Sequence, residues 1–151
     1  MEIKFKNIKE KQVAYIIATG RDNIPYIFGE LIEYIIKNNI LTIEHYYCTF
    51  FNNTINVDHE ELHYEIGIPI TGDVSGEGRI QIKKIPENQV VSTIHKGSYN
   101  KMNQVYHTLL EHAVKNGYLI SGPATEIYIN STPEVLRNEV LVEVRFPVIK
   151  K

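Results

Sequence analysis

An α+β domain built from two copies of a βαββ unit is the fold class that this sequence predicts. Three observations predict it: paired helical stripes, paired strands after them, and paired glycine turns before them. In the first stripe Ile24, Ile27, Phe28, Leu31, Ile32, Ile35 and Ile36 recur at helical spacing. In the second Met102, Val105, Tyr106, Leu109, Leu110, Ala113 and Val114 do the same, each 78 residues after its counterpart. At that offset residues 65–70 map onto 143–148, both of the form Glu-x-x-x-Pro. Upstream, Gln12 and Val13 match Gln89 and Val90, and Gly20 matches Gly97, at an offset of 77. One residue of slippage in a loop accounts for the change.

Each half then reads strand, glycine turn, helix, strand, strand. Residues 13–18 and 90–95 are rich in β-branched side chains and are followed by the glycines, which marks strands. Each helix closes on Lys-Asn, at Lys37-Asn38 and Lys115-Asn116. Strands are predicted at 43–51 and 125–130, then at 65–70 and 143–148. In the last pair proline, which lacks an N–H, marks the strand end. The glycine-rich stretch 72–78 reads as a linker. Extra strands fall at 3–8 and 79–85. The expected organisation is one domain over 1–151, with repeat 1 at about 1–71 and repeat 2 at about 79–151. A half of this size leaves a sheet edge and an apolar face open. Joining the copies about a pseudo-two-fold axis into an antiparallel sheet with two main helices covers both and leaves a ligand groove on the axis.

Composition narrows the function classes. A chain of 151 residues suffices for one real core. A net charge of -2, with no basic stripe beyond Lys83-Lys84, argues against direct nucleic-acid binding. Cys48 is the single cysteine, which excludes an intrachain disulfide framework and a multi-cysteine metal site. The N-terminal residues alternate charged and apolar, unlike a secretory signal, and no apolar run approaches the ~20 residues of a membrane span. A cytoplasmic location is expected, which makes the sequons at Asn52 and Asn130 chance occurrences. Ten tyrosines and five phenylalanines, with no tryptophan, suit half-buried strands and pocket walls alike.

Several stretches, taken together, resemble a known family. They are His95-Lys96-Gly97-Ser98-Tyr99, then Asn116-Gly117-Tyr118, then Gly122-Pro123-Ala124-Thr125-Glu126-Ile127-Tyr128, and the closing Val142-Glu143-Val144-Arg145-Phe146-Pro147-Val148. The series is similar to the GyrI-like, or bacterial regulator effector-binding, domain and runs nearly end to end. The resemblance implies a tandem βαββ fold that binds a small organic molecule, often lipophilic and cationic, between its halves. It also implies kinship with sensor portions of transcription regulators. With no stretch for a helix-turn-helix ahead of the first strand, the chain reads as a stand-alone member.

Glu126 and Tyr128 stand two apart on a predicted strand and so share a face. A lipophilic cation needs that pair, an anion for charge and ring faces for cation–π contact. Burying the carboxylate requires tyrosine hydroxyls around it or partial protonation; the competing reading is a solvent-facing glutamate. Glu143 and its mate Glu65 read equally well as groove carboxylates or as local ion pairs with Arg145 or Lys83. At the 78 offset Cys48 replaces Glu126 and Phe50 replaces Tyr128, so the first half keeps an aromatic without the carboxylate. Only one of Tyr46 and Tyr47 faces the groove, and Tyr47 is the chosen candidate. Tyr15 and Tyr99 complete the ligand-binding set. No catalytic residue, metal ligand or cofactor is assigned, and a regulator or protein partner stays open.

His59-Glu60-Glu61-Leu62-His63 matches the zinc-protease pattern, which works only on an α-helix. Leading into a strand, its histidines sit about 13 Å apart, too far for one metal. His45, His95, His107 and His112 show no ligand spacing, and Cys48 reads as a small core residue. Two other functions remain open: a hydrolase with Glu126 or Glu143 as general base, and a gyrase-inhibitor-like interaction module. The lack of tryptophan weakens the first, since hydrolase-like members of the family tend to carry one.

Overall fold

The computed structural model describes residues 1–52, 58–130 and 140–151, and at His59 the backbone alone. The two stripes form α1 (Ile24–Lys37) and α2 (Met102–Lys115). Pro25 opens α1, where a missing N–H costs no hydrogen bond. Asn38 and Asn116 end the helices, each turning its side-chain amide back to a carbonyl four residues earlier, at 2.9 and 2.7 Å. Ile27, Phe28, Leu31, Val105, Leu109 and Ala113 are buried, and fully burying one such leucine contributes roughly 1.5–3 kcal/mol. The stripes are shorter than expected at one end: Ile36 and Val114 lie exposed. By the last helical turn these positions have rotated off the covered face.

Nine strands accompany the helices among the described residues: β1 (Ile3–Ile8), β2 (Lys11–Thr19), β3 (Tyr47–Phe50), β4 (His63–Ile70), β5 (Gln81–Ile85), β6 (Asn88–Gly97), β7 (Tyr118–Ile120), β8 (Thr125–Tyr128) and β9 (Val140–Lys150). They fall into two compact units. The first unit, Glu10–Pro86, orders its strands β3-β4-β2-β5, with α1 packed on β2 and β4. The second unit, Met1–Lys9 with Glu87–Lys151, orders them β1-β6-β9-β8, with β7 also beside β9 and α2 packed on β6, β7 and β9.

The antiparallel registers of the two units coincide at the sequence offset. Cys48 stands opposite Ile66 as Glu126 stands opposite Val144, and Thr19 opposite His63 as Lys96 opposite Leu141. The outer strand of each unit comes from beyond the expected repeat boundary. Strand β1 pairs with β6, and β5 pairs with β2. The units therefore divide after Lys9 and after Pro86, not across residues 72–78. Hydrophobic alternation shows that a segment is a strand but not which of two equivalent edges it joins.

Some predicted strands are shorter than expected and others run longer, β9 past its proline. The stretch 43–51 pairs as β3 only from Tyr47, and 125–130 as β8 only to Tyr128. Pro147 does not end its strand. Its pairing with β6 stops there, at Val90, but its carbonyl accepts from the Ser121 amide at 2.9 Å and β7 pairs with β9 from Val148 to Lys150. A missing N–H removes one donor; it does not remove the carbonyl, and a second partner takes over the ladder. Pro69 likewise stays inside β4, opposite Val13. Strand β7 itself, three residues long, is too short for an alternation to register.

The His-Glu-x-x-His segment is not α-helical: residues His59–Glu61 form a single 3-10 turn and His63 begins β4. Its second-half counterpart at the same offset is 137–141, of which 137–139 lie outside the described residues, as do the closing positions of both sequons. No helix among the described residues is long and apolar enough to cross a membrane.

Candidate functional site

Strand alternation divides the candidate residues between two faces of each unit. In the second unit Glu126 opposes Val144 across β8 and β9, whereas Glu143, one position before Val144, opposes Ile127. Directly opposed residues share a face and sequence neighbours do not. Glu126 and Tyr128 thus lie on one face and Glu143 on the other. The Glu126 face is the one that α2 covers, because Tyr106 of α2 reaches both Glu126 and the ring of Phe146.

Three phenols converge on Glu126, which is 2 % exposed. Tyr99, on the short turn before α2, donates to Oε1 at 2.5 Å. Tyr128 donates to the same oxygen at 2.9 Å, and Tyr106 donates to Oε2 through a short hydrogen bond. A carboxylate offers about four acceptor sites, so three donors account for most of its hydrogen-bonding capacity. Burying a charge is tolerable on such terms and costly otherwise. Tyr128 is buried with the carboxylate, while Tyr99 and Tyr106 are half-buried and form the part that solvent reaches.

The turn that delivers Tyr99 is built by Gly97, whose φ of +133° lies in the region that side-chain-bearing residues avoid. Gly20 holds the matching place in the first unit with φ +90°. Beyond Gly97, the Ser98 hydroxyl accepts from the Asn100 amide at 3.2 Å, and the His95 ring Nε2 stands 2.7 Å from the Ser98 carbonyl.

On the opposite face Glu143, 8 % exposed, accepts three bonds at Oε2: from Ser92 at 2.7 Å, Arg145 at 2.7 Å and Lys6 at 2.8 Å. Burial alone pushes its carboxyl up, but the bonds from Arg145, Lys6 and Ser92 outweigh it and bring it down to about 2.

In the first unit Glu65, 4 % exposed, accepts from Lys83 at 2.5 Å and from Tyr47 at 2.6 Å. The Lys83 ammonium also stands 4.2 Å from the centre of the Tyr15 ring, whose hydroxyl donates to Gln81 at 2.8 Å. Gly67 makes room for Tyr47: a Cβ there would meet its hydroxyl at 2.4 Å and its ring at 2.5 Å. Burial first, then the Glu65 charge, push the Tyr47 phenol well above its ordinary range. Tyr46 instead packs edge-on against Phe28, with ring centres 6.1 Å apart.

The seven sequence candidates therefore fall into groups by their contacts within each unit. Glu126, Tyr128 and Tyr99 meet, and Tyr106 joins them. Tyr47, Tyr15 and Glu65 meet around Lys83. Within the second unit Glu143 lies on the other face from Glu126. Tyr106 was missed because it fits its helix's apolar stripe, yet a signal was present: its counterpart is Phe28, as Phe50 is the counterpart of Tyr128. Hydroxyls occur at both positions in the half that has the carboxylate.

No curated protein matches the chain by sequence. Solved structures do match its fold. The EcmrR C-terminal domain is 20% identical, with a TM-score of 0.85 over 99% of this chain and 98% of its own. A hydrolase from Listeria innocua is 12% identical, with a TM-score of 0.76 over 98% and 92%. SAV2435, solved bound to tetraphenylphosphonium, is 15% identical, with a TM-score of 0.61 over 99% and 94%. Residues 1–149 match the family model described as a GyrI-like small molecule binding domain. The chain belongs to the GyrI-like family of small-molecule-binding domains.

Proposed function

We propose that this protein binds a bulky apolar organic cation at the Glu126 cluster, with Tyr99, Tyr106 and Tyr128 as its aromatic surround. One observation carries the reading: a buried carboxylate held by three phenols, two of them half-buried. Cations are attracted to aromatic faces, the more so when desolvated. A phenol that donates to an anion is polarised by it, which makes its ring a better cation partner. The charge thus acts through the rings.

The same arrangement discriminates among cations. With three phenol protons already on Glu126, a primary ammonium finds few acceptors to replace its lost water. A phosphonium or quaternary ammonium has no such requirement. That SAV2435, a protein of the same fold, was solved with tetraphenylphosphonium is in keeping with this choice. In this reading Glu65 and Glu143 serve the scaffold, since each already holds a cation of its own chain.

Hydrolysis is the weaker alternative. A general base needs a lone pair turned toward water, and most acceptor sites of Glu126 are taken by phenols. The Listeria likeness, at 12% identity, is a likeness of fold.

Calorimetric titration with tetraphenylphosphonium tests the proposal. Saturable binding is expected, weakened roughly tenfold to a hundredfold in Glu126→Gln, as loss of one charge several ångströms away implies. A long-chain primary amine of similar hydrophobicity should bind more weakly. An absence of saturable binding, or equal affinity in Glu126→Gln, overturns it.

A further inference from the structure

We propose that His95 is a positioning residue for the Glu126 cluster, acting through Tyr99; the proposal rests on the reading of that cluster as the binding site. His95 opposes Val142 on β9, and Val142 in turn opposes Tyr128 on β8. The three lie in one cross-strand row, so the imidazole projects on the same face as Tyr128 and Glu126. From there its Nε2 stands 2.7 Å from the Ser98 carbonyl, so the ring carries its proton on that nitrogen and donates. The Ser98 carbonyl belongs to the peptide unit whose nitrogen is that of Tyr99. Fixing that oxygen fixes the plane from which the Tyr99 side chain departs.

The latch sits where the backbone most needs one. Gly97, with φ +133°, intervenes between strand and turn and restrains little by itself. The Lys101 amide, at 3.2 Å, also donates to the Ser98 carbonyl, closing the turn from the other side. Held at both ends, the turn presents the Tyr99 hydroxyl 2.5 Å from Glu126. A displacement of about 1 Å there breaks the hydrogen bond.

The first unit supplies the contrast. At the 77 offset Ala18 stands in place of His95 and Asp22 in place of Tyr99. The unit without the carboxylate has neither the phenol nor the histidine that orients it.

Tetraphenylphosphonium affinity is to be measured in wild type, His95→Leu, His95→Gln, Tyr99→Phe and the His95→Leu/Tyr99→Phe double variant. His95→Leu should weaken binding roughly threefold to tenfold, the worth of one hydrogen bond. His95→Gln should recover most of it, because its amide donor reaches the same carbonyl. In the Tyr99→Phe background His95→Leu should add nothing further. An equal loss in both backgrounds shows a merely structural histidine and overturns the proposal.

A ligand-free readout separates this proposal from the binding reading. In protein labelled with 13C at the tyrosine ζ carbon, His95→Leu should move the Tyr99 resonance toward that of an exposed tyrosine. If wild type binds no phosphonium yet that resonance moves, the binding reading fails and the latch stands. An unmoved resonance overturns the latch itself.

Discussion

Strand β3 of the first unit carries Cys48 and Phe50 where β8 of the second carries Glu126 and Tyr128, in the same register against the long strand beside each. Phe28 of α1 corresponds to Tyr106 of α2. On this face one unit has a carboxylate and the hydroxyls that hold it. The other has a fully buried thiol, with phenylalanines in place of two of the phenols and a buried Tyr64 whose hydroxyl donates to the Gly20 carbonyl. The opposite face shows a different pattern. Both units keep a buried glutamate on a lysine of the outer strand, Glu65 with Lys83 and Glu143 with Lys6. Around that pair the neighbours change, with Gly67 and Tyr15 in one unit where Arg145 and Ser92 stand in the other. The glutamate–lysine pair shared by the units ties outer strands into their sheets; the carboxylate surrounded by phenols is found in the second unit alone among the described residues. Buried charge therefore occurs in two settings in this molecule, and the identity of its partners, phenols or cations of the same chain, is what separates them.

Moving the carboxylate across the comparison is the most disruptive change. Cys48→Glu places an anion on the helix-covered face of the first unit, where Phe28 and Phe50 stand at the places of Tyr106 and Tyr128 and the Tyr64 hydroxyl is already given to the Gly20 carbonyl. It should destabilise the protein by about 3–5 kcal/mol in denaturant unfolding. Adding Phe28→Tyr and Phe50→Tyr should return part of the loss. A neutral Cys48→Glu would show that the hydroxyls are incidental to burying the charge.

Acid unfolding probes the opposite face. The Glu143 carboxyl titrates near 2 in the folded protein against 4.5 as its ordinary value. A lowered folded value contributes stability that is complete above about pH 4.5 and lost as pH falls toward 2. The contribution is on the order of 3 kcal/mol, and Glu143→Gln should remove this part of the acid dependence. Equal acid limbs in the two proteins would show that the ion pair is not a scaffold element.

Gly67→Ala gives the smallest effect. The new methyl collides with the Tyr47 ring and should cost about 1–3 kcal/mol by forcing it off Glu65. In a Tyr47→Leu background most of that cost should vanish, since the second unit accepts an arginine at the equivalent place. A full cost in that background would place the strain in the backbone.

Much of the fold was legible in the residues, because helical and strand periods are local properties. The stripes located both helices to within a residue, and the Glu-x-Tyr spacing placed Glu126 and Tyr128 on one face. Tyr106 was hidden, since a tyrosine in an apolar stripe reads as packing until a carboxylate is seen at its hydroxyl. Glu143 and Glu65 looked like Glu126 in one dimension. Their separation from it depends on a register in which one residue's shift exchanges the faces of a sheet.

By itself the sequence determined both helices, every strand but β7, the matched spacing at 77–78 residues and the family, all of which rest on spacing along the chain. Only the tertiary structure decided which edge β1 and β5 join, which phenols meet Glu126, and which carboxylates are spent on lysine and arginine. Those are contacts between residues far apart in sequence. Their energies depend on distances of a few ångströms that no local pattern encodes.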